Sequence, residues 1–368
     1  MNFKIVYKKI LLVCILALGY FACLDEIPLA NSENTLDRIM IRGKLSYGTP
    51  SMVSLAISDL SDFSPSDSPV PIVDAIVLLK SANGEAVAIP MTTIGSYELA
   101  IPSNHPTMPI EIGQSYQVTV QLPNNRNYES TLEPLIGVPA IKAVHKNVIE
   151  RPVLDDLENI ESRLFLEITL DTPLELPNNP NRSFLKWEFE GTYRFPESAI
   201  ATEPLKPVNV CYNFDPLNLD KVVVFDGNQA AQPILNNHFL LEEPLDFRFY
   251  RGFYLKIVQQ SLSEGAFKYW KELNTIIDRD GSFFETLPAI VRGNFKQLEN
   301  PAEIVFGYFY TTMEDSIRIF ISQDEAEFPT PMCREVADRE TFNSQPNLCR
   351  NCLLKAGSTV NKPDFWIN

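Results

Sequence analysis

Phe184-Leu185-Lys186-Trp187-Glu188-Phe189-Glu190-Gly191-Thr192-Tyr193-Arg194-Phe195 alternates apolar and polar residues for longer than any other part of the chain. Leu185, Trp187, Phe189, Tyr193 and Phe195 fall on one face, and Lys186, Glu188, Glu190 and Arg194 on the other. Successive side chains of a strand point to opposite sides, so a period of two predicts a long, half-buried β-strand. Its aromatic face is expected inside a core, in preference to serving as a ligand platform.

The same period recurs on both sides of this stretch. Leu164, Leu166, Ile168 and Leu170 share a face, as do Val53, Leu55 and Ile57, then Tyr97, Leu99 and Ile101, then Tyr116, Val118, Val120 and Leu122. An apolar strand is expected over 73–79, with the Asn83-Gly84 pair after it as a hairpin turn. Further strands are expected over 247–258 and 303–320. Short strands separated by turn signals indicate a sandwich. The composition agrees, with 28 Pro, 23 Phe and 13 Tyr against 15 Gly. Gly113-Gln114-Ser115-Tyr116, just ahead of a strand, fits the tyrosine corner of immunoglobulin-like domains, with a plain core tyrosine as the alternative.

One helix interrupts the strands. Ser261-Leu262-Ser263-Glu264 reads as a capping box, and Ala266, Tyr269, Trp270, Leu273 and Ile277 recur at helical spacing. The expected fold is therefore mainly β. An N-terminal sandwich occupies 37–139. A larger β-rich domain with one packed helix near 262–277 follows over 140–327, and a cysteine-containing tail over 328–368.

The first residues carry an address. Lys4, Lys8 and Lys9 precede an apolar run from Ile10 to Ala22, and Cys23 follows it. A basic start, a short apolar core and a small residue before the cut describe an export signal over 1–22. Cys23 at the first mature position is expected to be acylated, which anchors the chain to membrane lipid. Tyr20-Phe21 departs from the usual lipobox, so an ordinary secretory signal is the alternative. Residues 23–36 read as a tether. Taking the three leader lysines from 31 basic residues, against 47 acidic ones, leaves a formal charge of −19. Such a surface argues against nucleic acid as a partner.

Cys211, Cys333, Cys349 and Cys352 remain, and an even count in an exported chain favours two disulfides. Cys349 and Cys352 are each expected to reach a separate partner, Cys211 and Cys333 in some order. A redox pair at Cys349-Arg350-Asn351-Cys352 or a metal site is the less favoured reading. The other chemistry-bearing residues are dispersed. His105, His145 and His238 lie far apart in sequence. Ser183 and Lys186 have a Ser-x-x-Lys spacing, but on a strand they point to opposite faces. Asp278, Asp280, Ser282 and Glu285 resemble only the opening of a calcium loop. No metal, cofactor or catalytic group is assigned, and the chain is not expected to be an enzyme.

Several segments together resemble the Bacteroidota lipoprotein family known as domain of unknown function 4249. They are Gln260-Ser261-Leu262-Ser263 with Ala266-Phe267-Lys268-Tyr269-Trp270, then Gly281-Ser282-Phe283-Phe284, Ile290-Val291-Arg292-Gly293-Asn294, and Asn300-Pro301-Ala302-Glu303 with Val305-Phe306-Gly307-Tyr308-Phe309. Cys349-Arg350-Asn351-Cys352 with Asn361-Lys362-Pro363-Asp364-Phe365-Trp366 is similar to that family's close, although its members often carry adjacent cysteines where this chain spaces Cys349 and Cys352. The resemblance implies an outer-membrane lipoprotein with an immunoglobulin-like N-terminal domain, associated with a TonB-dependent transporter. Asp25-Glu26, just after Cys23, implies export to the cell surface. The expected role is a non-catalytic binding or accessory subunit of such a transporter. The alternative is a structural or adhesive envelope lipoprotein.

Overall fold

The computed structural model describes residues 38–60, 69–155, 157–176, 181–203, 208–217, 220–277, 291–327 and 329–367. The expected signal, Cys23, the tether, Asp25-Glu26 and the Asp278-to-Glu285 loop lie outside them. Residues 38 onward form one compact body.

Among the described residues the first half holds ten strands: β1 (Arg38–Tyr47), β2 (Ser51–Leu60), β3 (Val70–Pro71), β4 (Ile76–Ser81), β5 (Ala86–Ala88), β6 (Met91–Thr93), β7 (Ser96–Ile101), β8 (Ser115–Gln121), β9 (Asn127–Ser130) and β10 (Glu133–Pro134). One layer runs β1-β2-β7-β6 and the facing layer β9-β8-β4-β5. That is the ABED and GFCC′ order of an immunoglobulin sandwich. Val53, Leu55 and Ile57 from the first layer meet Leu79, Val118 and Val120 from the second in one buried core. The strand expected over 73–79 begins later, at Ile76, and Gly84 at φ +91° turns it into β5. Tyr116 is a tyrosine corner in fact: its hydroxyl accepts from the Glu111 amide at 2.8 Å and donates to the Pro109 carbonyl at 3.4 Å.

The second half contributes β11 (Ala143–Leu154), β12 (Ile160–Pro173), β13 (Phe184–Pro196), β14 (Val210–Leu217), β15 (Val223–Asp226), β16 (Ile234–Pro244), β17 (Phe253–Leu262), β18 (Phe295–Gln297), β19 (Phe309–Ile321) and β20 (Ser358–Thr359). Helix α1 spans Glu264–Ile277, and the tail adds two short helices, α2 (Arg339–Ser344) and α3 (Asn347–Arg350). The opening stretch is β13, and its aromatic face is core. Leu185, Trp187, Phe189 and Tyr193 pack with Leu166, Ile168 and Leu170 of β12 and Leu240 and Leu241 of β16. The sheet β11-β12-β16 thus covers one side of β13 and β17.

The two halves share a sheet. β19 pairs antiparallel with β17 and parallel with β1, so strand order runs β20-β14-β13-β17-β19-β1-β2-β7-β6 without a break. Around the expected boundary the chain passes from one core to the other, with Leu135 in the first and Val138 in the second. Phe295, Val305 and Phe309 then return to the first core. The start of β19 depends on Gly307, at φ +87°. A side chain there would strike the Ile41 carbonyl, while the flanking amides of Ile41 and Gly43 bond to the Phe306 and Tyr308 carbonyls at 2.9 Å.

The helix starts differently from the expected capping box. Ser261 lies in β17; its hydroxyl donates to the Ile136 carbonyl at 2.7 Å and accepts from the Met313 amide at 3.0 Å. Ser263 is the cap instead, accepting from the Ala266 amide at 3.0 Å. The Glu264 carboxylate turns outward to Lys268, one turn on. Ile277, expected on the packed face, is exposed.

Candidate ligand-binding cleft

The polar face of β13 is expected in solvent, but α1 covers part of it. Lys186 is only 5% exposed. Register explains the cluster around it: Lys186 pairs with Gln260 on β17, Gln260 with Glu314 on β19, and Tyr310 with Lys44 on β1. Four neighbouring strands therefore present charged or amide groups on one face. Lys186 donates to Glu188 and, at 3.3 Å, to Gln260 Oε1. The Gln260 amide nitrogen bridges Glu188 at 3.1 Å and Glu314 at 3.0 Å, and Lys44 donates to Glu314 at 2.9 Å. Desolvation pulls the Lys186 ammonium below the usual lysine range, opposed by Glu188. Glu188 is raised by its own burial, but Lys186 and Lys44 outweigh that and hold it below its ordinary value.

Aromatic side chains wall this network. Trp270, on α1, lies with its ring 4.5 Å from Lys186 Nζ and edge-on to Tyr310. Tyr269 stacks at a tilt on Tyr308, 4.8 Å between centroids. Burial, then Glu188 and Glu314, raise the Tyr310 phenol well above its ordinary value, so it stays neutral. Two adjacent lobes result, of about 510 and 400 Å³, with Lys44, Glu188 and Trp270 lining both. The larger lobe continues over Glu190, Lys256 and Val258 to Phe214, Lys221 and Val222. The Val222 amide donates to Asn274 Oδ1 at 2.7 Å, fixing that edge to α1. The volumes fall in the range of small-molecule sites.

Beneath the start of α1 sits a second buried group. Glu133, 4% exposed, accepts from Ser263, from Tyr308 at 2.7 Å and from Asn294 at 3.3 Å. Desolvation raises its pKa against these four-sided donors, which include Thr131. It has no cationic partner among the described residues, and it joins β10 to the helix cap and to the residues just ahead of β18 and β19 rather than opening to solvent.

The residues singled out in sequence are spread elsewhere. Cys211 is bonded to Cys352 and Cys333 to Cys349, so the two cysteines of the Cys-x-x-Cys segment go to separate partners and all four thiols are consumed. Both bridges pin the tail, which ends with Trp366 buried against Tyr212 and Tyr254. His145 meets Asp171 at 3.0 Å, His105 accepts from the Met108 amide, and His238 is sandwiched near Trp187 and Phe225. Among the described residues no three metal-ligating side chains converge, and no helix is long and apolar enough to cross a membrane. Lys186 enters the cleft without Ser183 as a lining neighbour. Sequence reasoning named none of Lys44, Gln260, Trp270 and Glu314 as site residues. A usable signal was present: charged residues alternating along a strand whose other face is aromatic, with Gln259-Gln260 in a second such strand.

No curated protein and no solved structure matches the chain. The profile of the family described as Domain of unknown function (DUF4249) matches residues 25–318, and the chain belongs to that family.

Proposed function

We propose that this chain is a lipid-anchored binding or accessory subunit at the bacterial outer membrane, facing outward beside a TonB-dependent transporter. The observation that carries the binding role is the two-lobed cleft. Its floor is fixed by hydrogen-bonded strands, its charges are held in a continuous network, and its walls are aromatic. Preorganised polar groups beside apolar walls are what a small-ligand site requires. The address is supported by the basic and apolar leader before Cys23 and by Asp25-Glu26 after it. The family resemblance supports a Bacteroidota origin and the transporter association.

Extraction of the tagged, full-length chain in mild detergent tests the association: an outer-membrane barrel is expected to co-purify. A monodisperse lipoprotein with no partner would count against it. Cys23→Ala is expected to abolish incorporation of labelled fatty acid and release the chain from the membrane fraction. Proteolysis of intact cells reads the face. The continuous sheet from β20 to β6 also suits a rigid spacer, so an adhesive role is the second reading. Under it, loss of the gene would change attachment and leave nutrient uptake normal.

A further inference from the structure

We propose that the larger lobe of the cleft binds a small organic anion that carries an apolar or aromatic face. The lobe is lined by four lysines, Lys44, Lys186, Lys221 and Lys256, against three glutamates, Glu188, Glu190 and Glu314. The glutamates are already engaged. Glu188 holds Lys186 and Gln260, and Glu314 holds Lys44 and Gln260. Glu190 lies 3.8 Å from Arg318, which is not part of the lining, and its register partner Lys256 pairs in turn with Arg318. One carboxylate thus faces two cations. Neither Lys221 nor Lys256 has a carboxylate within ion-pair distance among the described residues. The buried indole N–H of Trp270 also lacks an acceptor.

Donors are therefore in surplus where acceptors are spent, in a chain whose formal net charge is −16. A neutral polyhydroxyl ligand needs both donors and acceptors from its site. A cation would have to displace Lys186 or Lys44 from its carboxylate. An anion instead meets two uncommitted ammonium groups at the edge of a low-dielectric cleft, where the field of like charges is concentrated. The rest of the wall is apolar: Phe214, Leu217, Val222, Val258 and Trp270. These would cover the body of the ligand while Lys221 and Lys256 meet its charge. Lys221 is placed by the neighbouring bond from Val222 to Asn274 on α1.

This deepens the proposed binding role, and it rests on the cleft being a ligand site rather than on the transporter. Its test therefore uses the purified full-length lipoprotein with no barrel present. 1-Naphthylacetate and its uncharged isostere 1-naphthylacetamide are titrated calorimetrically at two salt concentrations. The anion is expected to bind at one saturable site and to bind about tenfold more tightly than the amide, as one charge-assisted hydrogen bond gives. Its affinity should fall with added salt. Lys221→Gln changes an exposed residue and should lose most of the preference for the anion. Lys221→Gln with Lys256→Gln should remove it, while Lys362→Gln, in the tail, should leave it unchanged. Absence of saturable binding by the anion, equal binding of anion and amide, or unchanged affinity in the double variant would each overturn the proposal. Failure here would leave the co-purification result standing, and the converse also holds.

Discussion

Removing the disulfides one at a time should rank them by the loop each closes. Cys211–Cys352 spans 141 residues and Cys333–Cys349 spans 16. Loop-closure entropy puts the first bridge at about 5 kcal/mol and the second at about 3 kcal/mol, as upper bounds. All four cysteines are buried, so replacing either pair by alanine leaves small voids of similar kind. Those packing costs nearly cancel in the comparison. The 141-residue bridge should therefore cost roughly 2 kcal/mol more to lose than the 16-residue one. Equilibrium urea unfolding of Cys211→Ala/Cys352→Ala and Cys333→Ala/Cys349→Ala, followed by Trp fluorescence, measures both. Trp366 packs on Tyr212, one residue from Cys211, so the tail contributes to an emission shared with Trp187 and Trp270 in the body. Equal losses, or a larger loss from the short loop, would refute the entropic reasoning and place the stabilisation in local packing.

Two further substitutions test the packing beneath the cleft. Glu133 has a folded pKa above its unfolded one, so its contribution is present below the ordinary carboxylate range and is lost as pH rises through the raised value. Glu133→Gln should flatten that decline by about 1.4 kcal/mol for each unit of elevation, measured as unfolding free energy against pH; an unchanged pH profile would show that Glu133 titrates normally. Gly191, in β13, leaves no room for a side chain because a Cβ would collide with the Phe253 ring. Gly191→Ala should cost about 1–3 kcal/mol by overpacking and lower the melting temperature.

Strands were legible where one face of the alternation is core. Leu185 to Phe195 declared β13, and Tyr116 marked a strand start, but the choice between a tyrosine corner and a plain core tyrosine was settled only by its bonds to Glu111 and Pro109. The disulfide split was the preferred reading of the sequence: with only Arg350 and Asn351 between them, Cys349 and Cys352 were expected to reach Cys211 and Cys333 separately, and they do. The cleft was not legible. Lys186 and Glu188 look like solvent-facing residues until α1 is laid over them, and the cluster depends on Gln260, Glu314 and Lys44 arriving from other strands, with Lys44 and Glu314 themselves 270 positions apart. The capping signal failed for a related reason. Ser261 has the side chain of a cap, but β17 continues through it because its hydroxyl is claimed by Ile136 and Met313, and Ser263 is the first residue free of the ladder.

The parallel pairing of β1 with β19 bears on how the chain is made. Everything up to residue 139 leaves the tunnel with a sandwich that lacks Phe295, Val305 and Phe309 from its interior and has an open edge on β1 and another on β9. Such edges invite pairing with other chains. The first sandwich therefore closes only after nearly all of the body has been synthesised. A fragment cut at 139 would be a poor reagent, and the two halves should unfold together rather than as beads on a string.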